Sequence, residues 1–312
     1  MVALAVLLMQ LATSGFATGR PAECSGSGGS GGVNGRASNL WERAKAPELG
    51  RYCDLVASAS SKLAGTRAMA EAALAAARDA DRTLPGHAAP LALEGRALAL
   101  LGRLDEAVVA LREAASRDRR TLDDPATLLA WARALARTGH IEEASKAYHG
   151  LLPRAAVLPS AERASAAIEA GLVAMASGPE GLDDAAAALR AATREAQDDL
   201  APLAILALAL ALDRRGDVDE ARALLAEHLS PEPHAVVDAP RARELLAATP
   251  NERAALVARG LQEGDPAGAR EAWREFLAAS GDGPWASHAR SRLAALGQDP
   301  RQVGRGARAP SR

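Results

Sequence analysis

"GRLDEA" at Gly102 to Ala107 returns as "GHIEEA" at Gly139 to Ala144 and as "GDVDEA" at Gly216 to Ala221. Apolar, Ala- and Leu-rich residues precede each copy: "PLALEGRALALL", "ATLLAWARALART" and "PLAILALALALDRR". Helical patterns also follow: "EAVVALREAA", "EEASKAYHGLL" and "DEARALLAEHL". The phrase therefore reads as the turn of a helical hairpin. Gly takes the left-handed conformation that ends a helix without a steric cost. The acid pairs Asp105–Glu106, Glu142–Glu143 and Asp219–Glu220 stand in the first turn of the next helix, where the helix dipole favours them. The closing Ala is small, so the two helices can approach closely. A weaker copy is "GDPAGA" at Gly264 to Ala269, with Pro266 at a tolerated first-turn position.

Composition agrees with repeated helices. Hydrophobic residues make up 48% of the 312-residue chain, but aromatics only 3%. Ala and Leu, both strong helix formers, must supply the burial, and the residues that strands favour are scarce. The net charge of −2 gives no general reason to bind nucleic acid. Lys occurs only at 45, 62 and 146, so nearly all positive charge is Arg.

Phased on the closing Ala, six second helices begin at Ala73, Ala107, Ala144, Ala185, Ala221 and Ala269, with separations of 34, 37, 41, 36 and 48. Four residues after that Ala stand Ala77, Leu111, Tyr148, Leu189, Leu225 and Trp273. Seven after it stand Ala80, Ala114, Leu151, Ala192 and Phe276. Twelve before it stand Gly95, Ala132 and Ala209, and Pro85 closes the first copy. In these positions and in its 34-residue first spacing, the chain over roughly residues 40 to 297 resembles a tetratricopeptide repeat array. An unrelated solenoid of helical hairpins is the alternative. The expected fold is all-α: a right-handed α-solenoid of about six such hairpins plus a C-terminal capping helix. "GPWASHARSRLAAL" supplies that cap, with Trp285, His288, Leu293 and Leu296 as its packing stripe. The layout of this end is similar to the last repeat of exported, cell-envelope tetratricopeptide proteins.

The ends read differently. "MVALAVLLMQLATSGFATG" has no charged side chain before Arg20, a compact apolar run from Val2 to Leu11, then small residues. Residues 1–19 are expected to be a signal peptide cut before Arg20, with Ala17 and Gly19 at the cleavage site. The alternatives are an uncleaved N-terminal anchor, or lipidation at Cys24, although Pro and Glu stand before that Cys. Residues 20–38, with "SGSGGSGG", read as a flexible linker, 39–297 as the repeat domain and 298–312 as a disordered tail. Gly28 to Gly32 matches G-x-S-x-G, but low-complexity Gly/Ser offers neither the strand nor the helix that a nucleophile elbow needs. The two cysteines, Cys24 and Cys53, suggest a disulfide in an exported chain. Closing that loop would contribute about 3–4 kcal/mol in the chain-entropy model. Two unrelated cysteines are the alternative. With the bond formed, residues 39 to 52 are expected to cover the first hairpin, with Trp41 as anchor.

No residue pattern points to catalysis. There is no C-x-x-C, H-E-x-x-H or P-loop, and the six His, at 87, 140, 149, 228, 234 and 288, pair at no metal-binding spacing. No cofactor or metal is expected, nor an enzyme. The resemblance implies a groove lined by the first helices that holds a protein partner. Its ninth repeat position gives Lys62, Arg96 and Arg133, then Leu172, Leu210 and Ala258: a lane that turns from basic to apolar. The Asn residues of the family's carboxylate clamp are missing there. The function expected is a non-catalytic interaction scaffold, periplasmic or secreted, without a membrane span once the signal is cut. The alternative is a structural spacer of an envelope complex that makes contacts by its ends and convex face.

Overall fold

The computed structural model describes residues 21, 24, 47–63, 67–197, 200–228 and 232–297. The signal peptide, the 298–312 tail, Trp41 and nearly all of the linker lie outside the described residues. Among the described residues the chain is all-α, with fifteen α-helices and no strand. The first ten helices come as five successive pairs, α1 (Pro47–Leu63) and α2 (Ala70–Thr83), α3 (Ala88–Leu101) and α4 (Leu104–Arg117), α5 (Pro125–Arg137) and α6 (Ile141–Leu151), α7 (Ser160–Ser177) and α8 (Leu182–Glu195), and α9 (Leu200–Arg215) and α10 (Val218–His228); the first, second, fourth and fifth pack as hairpins. Two short helices follow, α11 (Pro233–Asp238) and α12 (Pro240–Leu246). The sixth hairpin is α13 (Glu252–Leu261) with α14 (Pro266–Ser280), and α15 (Ala286–Gly297) packs on α14. The chain forms two compact units, up to Ala134 and from Leu135 onward.

The three copies of the phrase form one structure. Gly102, Gly139 and Gly216 have φ of 82°, 83° and 99°, a region closed to most side chains. In each, the glycine amide reaches three residues back and the next amide five back. Arg103 N donates to Leu98 O at 2.9 Å, His140 N to Leu135 O at 2.9 Å and Asp217 N to Leu212 O at 2.9 Å. This doubled bond pattern satisfies carbonyls that a helix end leaves open. The closing alanines Ala73, Ala107, Ala144, Ala185, Ala221 and Ala269 are all fully buried. So are Leu111, Leu189 and Trp273, four residues later.

Small residues on first helices admit large ones on second helices. A Cβ on Gly95 would lie 2.4 Å from Leu111 Cγ, and one on Gly171 2.4 Å from Leu189 Cγ. Gly171 precedes Ala185 by fourteen residues, whereas Gly95 precedes Ala107 by twelve. The fourth hairpin absorbs the extra two in a 3₁₀ turn, Pro179–Gly181, and keeps the small-to-large contact. The 48-residue gap before Ala269 is filled by α11 and α12, whose Val236, Val237, Leu245 and Leu246 are buried in the core of the C-terminal unit.

The fourth turn differs from the sequence expectation. Gly264 does not take a left-handed backbone. Asp265 makes the turn instead: its amide donates to Leu261 O at 2.7 Å and its carboxylate accepts from Gly268 N at 3.0 Å. A side-chain cap there replaces the glycine-ended turn.

Candidate partner-binding groove

First helices face a cavity of about 470 Å³ in the N-terminal unit. Ser60 of α1, Ala89, Ala92, Leu93 and Arg96 of α3, and Thr127 of α5 line it, with His87 at the start of α3. Residues of the α4–α5 loop, Asp118 to Asp124, form its polar rim. Its apolar floor exists because Ala88 and Ala92 are small, so α3 offers a shallow trough rather than a ridge.

The rim charges are ordered by one another. Arg96 donates to Asp124 at 3.4 Å, and the same carboxylate caps α5 by accepting from Thr127 N (2.9 Å) and Thr127 Oγ1 (2.6 Å). Arg117 donates to His87 O at 3.2 Å and reaches Asp81 at 3.3 Å. Arg120 donates to both oxygens of Asp118, and this bond holds the Asp118 carboxyl below the usual carboxylate range. The His87 ring lies 5.3 Å from that of the fully buried Tyr52, at 47°.

One more wall of the cavity comes from Pro21. Cys24 N donates to Pro21 O at 2.8 Å, and Cys24 is disulfide-bonded to Cys53 on α1. The expected disulfide is therefore present. It brings residues 21 and 24 to the first hairpin.

Of the three basic residues expected in the groove, only Arg96 lines this cavity. Lys62 stands half-buried in the last turn of α1, and Arg133 half-buried on α5. The apolar half of the expected lane is not a surface at all. Leu172, Leu210 and Ala258 are 1%, 0% and 0% exposed and belong to the core. Their first helices are covered on more sides: α9 is apolar nearly all round and contacts α8, α10 and α13.

The C-terminal unit holds a polar cluster that sequence reading missed. Asp213, Arg214, Glu252 and Arg259 are buried on α9 and α13. Arg292 of α15 donates to both oxygens of Asp213, at 3.0 and 2.7 Å, and His288 Nε2 lies 3.0 Å from it. Arg259 Nε stands 3.3 Å from the same carboxylate. Burial pushes the Asp213 carboxyl up, but His288, Arg259 and Arg292 outweigh it and hold it below the usual range. Arg214 pairs with Glu252 at 2.7 Å, and its guanidinium lies 4.6 Å from the Trp285 ring centre. Burial lowers the affinity of Arg214 and Arg259 for their protons, an effect Glu252 and Asp213 oppose. The Trp285 indole donates to Met175 O at 2.7 Å. The one signal in the sequence was "DRR", charged residues ending an otherwise apolar helix. This cluster fixes α15 onto the unit, in the capping place expected for it.

A second cleft in the C-terminal unit, about 660 Å³, is walled by α6, α7 and α8 and floored by Ala164, Ala167, Ala170 and Ala174. Among the described residues no group of three or more His, Cys, Asp or Glu could hold a metal ion, and no helix is long and apolar enough to cross a membrane.

No family model matches the sequence, and no curated protein matches it. Solved structures do. YrrB, described as a tetratricopeptide-repeat protein with an unusual peptide-binding site, is 16% identical over 69% of this chain and 97% of that one, with a TM-score of 0.41. The flexible tandem repeat domain of a bacterial cellulose synthase component is 20% identical over 82% and 98%, at 0.26. A chain of the Naa15/Naa10 complex bound to HypK is 15% identical over 80% and 39%, at 0.38. The repeat type rests on this chain's own residues: a glycine-ended turn, a buried Ala opening each second helix, and a small residue receiving a Leu across the pair. What recurs along this chain is a helical hairpin that resembles the tetratricopeptide type in these three features.

Proposed function

We propose that the chain is an exported, non-catalytic scaffold that binds a protein partner through the first-helix groove of its N-terminal unit. The observation that carries this reading is the 470 Å³ cavity, with its small-residue floor, ordered polar rim and a proline from the chain's own N-terminal segment in its wall. Such a trough accepts an extended backbone, and the Arg96–Asp124–Thr127 network offers fixed polar contacts along it. Lys62 and Arg133 would extend the basic side of the lane. Export follows from the charge-free apolar run of residues 1–19, and the Cys24–Cys53 bond fits an oxidising compartment. Residues 20–38 then act as a linker, and the mature protein has no membrane span.

A photo-crosslinking residue at position 89, on the groove floor, tests this. The partner should be captured from there and not from position 109, which lies outside the groove on a second helix. Capture from position 109 alone would refute the groove reading. It would favour the spacer reading, for which Val109 speaks: it is 67% exposed beside Leu91 and Leu98, with Glu94, Asp105, Glu106 and Glu113 around them.

A further inference from the structure

We infer that α3 and α4 carry a second docking surface, on the side of α3 opposite the groove, and that it takes a basic amphipathic helix of a partner protein. This goes beyond the groove reading and stands or falls without it.

The register of α3 creates the surface. At about 100° per residue, Ala89, Ala92, Leu93 and Arg96 share the face that lines the groove. Leu91, Glu94 and Leu98 share the opposite face and line a separate cavity of about 400 Å³. Its other wall is α4, through Asp105, Val109 and Glu113 at intervals of four, with Glu106 and Ala110 beside them. Each row runs along its helix for about two turns, roughly 10–12 Å. The trough between these two packed helices is therefore long enough to seat two turns of a third.

The centre of the trough is apolar and open. Val109 is the most exposed large apolar side chain among the described residues, on a helix whose Val108, Leu111 and Ala114 are buried. A single exposed valine is ordinary. This one shares a trough with Leu91 and Leu98, so an incoming apolar side chain meets three others there.

The rim of the trough is acidic. Glu94, Asp105, Glu106 and Glu113 line it, and among the described residues no Lys, Arg or His does. Arg78, Arg103 and Arg117 reach Glu94, Glu106 and Glu113 from outside, in pairs whose members are all partly exposed. Exposed pairs of this kind are weak, so an incoming cation can share those carboxylates. Asp105 has no ion-pair partner among the described residues. An acidic segment would be repelled, and a neutral one would cover these charges without pairing them. A helix with an apolar stripe flanked by Lys or Arg fills the trough and meets its rim with the opposite charge.

The probe is a labelled, capped model helix of about 15 residues, with Leu at three- and four-residue spacing and Lys elsewhere. Its twin has Glu for Lys. Fluorescence anisotropy with the full chain should show binding of the Lys helix and none of the Glu helix. Asp105→Lys and Val109→Ser, both at exposed positions, should each weaken binding about fivefold or more. Val109→Ser leaves the charge alone, so a fold disturbed by Asp105→Lys cannot decide the outcome. Glu271→Lys makes the same kind of charge change at an exposed position of α14 and should alter binding less than about twofold. A photo-crosslinker at position 109 should capture the Lys helix, and one at position 89 should not. Equal losses for Glu271→Lys and Asp105→Lys, or no loss for Val109→Ser, would mean charge attraction alone and would overturn the inference. Capture of the Lys helix from position 89 would do the same. So would concentration-dependent self-association that Val109→Ser abolishes, since a second copy would then be the occupant. The groove reading survives any of these failures, because its own partner is sought from position 89.

Discussion

Replacing Asp213 by Asn removes one charge and almost no volume. It breaks the pivot between α9, α13 and α15. Three basic side chains meet that carboxylate, and they differ in what they lose. Arg292 and His288 are 18% and 16% exposed at their side chains, so water can partly rehydrate them. Arg259 is fully buried, with Glu263 at 3.8 Å as its other acid. Removing one member of a buried pair costs about 3–5 kcal/mol, because the partner remains as a buried charge. For a unit of this size each kcal/mol moves the melting temperature by about 2–4 °C. The expected fall is therefore roughly 6–20 °C. Tryptophan emission should report the same event, since Trp273 and Trp285 are buried beside His288. The control is Arg290→Ala, which breaks the exposed Arg290–Asp282 pair and should cost less than about 1 kcal/mol. If Asp213→Asn melts within about 2 °C of the parent, the cluster does not hold the C-terminal unit together and the reasoning fails.

Acid should act through the same carboxylate. Its folded pKa is depressed, so its stabilising contribution is complete above the ordinary Asp value of about 3.9 and is lost as pH falls through the lower, folded value. Thermal melts should show a drop below about pH 4 that is smaller in Asp213→Asn; equal drops would exclude this source. Gly216→Ala, at φ 99°, should destabilise by about 1–2 kcal/mol, whereas Gly264→Ala, with no left-handed backbone and open space around it, should not destabilise by urea titration. Gly95→Ala puts a Cβ against Leu111 and should cost about 1 kcal/mol net, overpacking exceeding the gain in helix propensity. N-terminal sequencing of protein recovered from outside the cytoplasm should begin near Arg20; an intact Met1 on cytosolic protein would sink the export proposal.

The parts of this fold that were readable are the local ones. A glycine-ended turn is decided by the few residues around it, so Gly102, Gly139 and Gly216 declared themselves. The buried Ala and the large residue four positions later are set by one helix pair, and they too were visible. Gly264 was misread because a nearby Asp can do the same job by a different bond. Leu172, Leu210 and Ala258 were misplaced because repeat position predicts a surface only if neighbouring elements leave it open, and the helices packed on α9 do not. Of the Asp213 cluster, only the charged "DRR" ending an apolar helix was visible, and it named no partner. Its partners stand on helices far along the chain, and no short pattern links an Asp to an Arg 79 positions later. In the groove, Arg96 was identified, but its bond to Asp124 depends on how a loop folds. Pro21 entered only through the disulfide.

The clasp between α9 and α15 also sets an order of events during synthesis. Asp213 leaves the ribosome well before Arg292, with 79 residues between them, and Met175 precedes Trp285 by 110. At about 5–20 residues per second the carboxylate waits roughly 4–16 s for its strongest partner. Until then, closing α9 against α13 would enclose the Arg259 and Asp213 charges without the fork of Arg292 to complete them. The N-terminal hairpins need no such late arrival, since the contacts of Gly95 and Leu111 are made within one repeat. A growing chain can thus settle its first unit early and hold its second one loose until the final helix emerges.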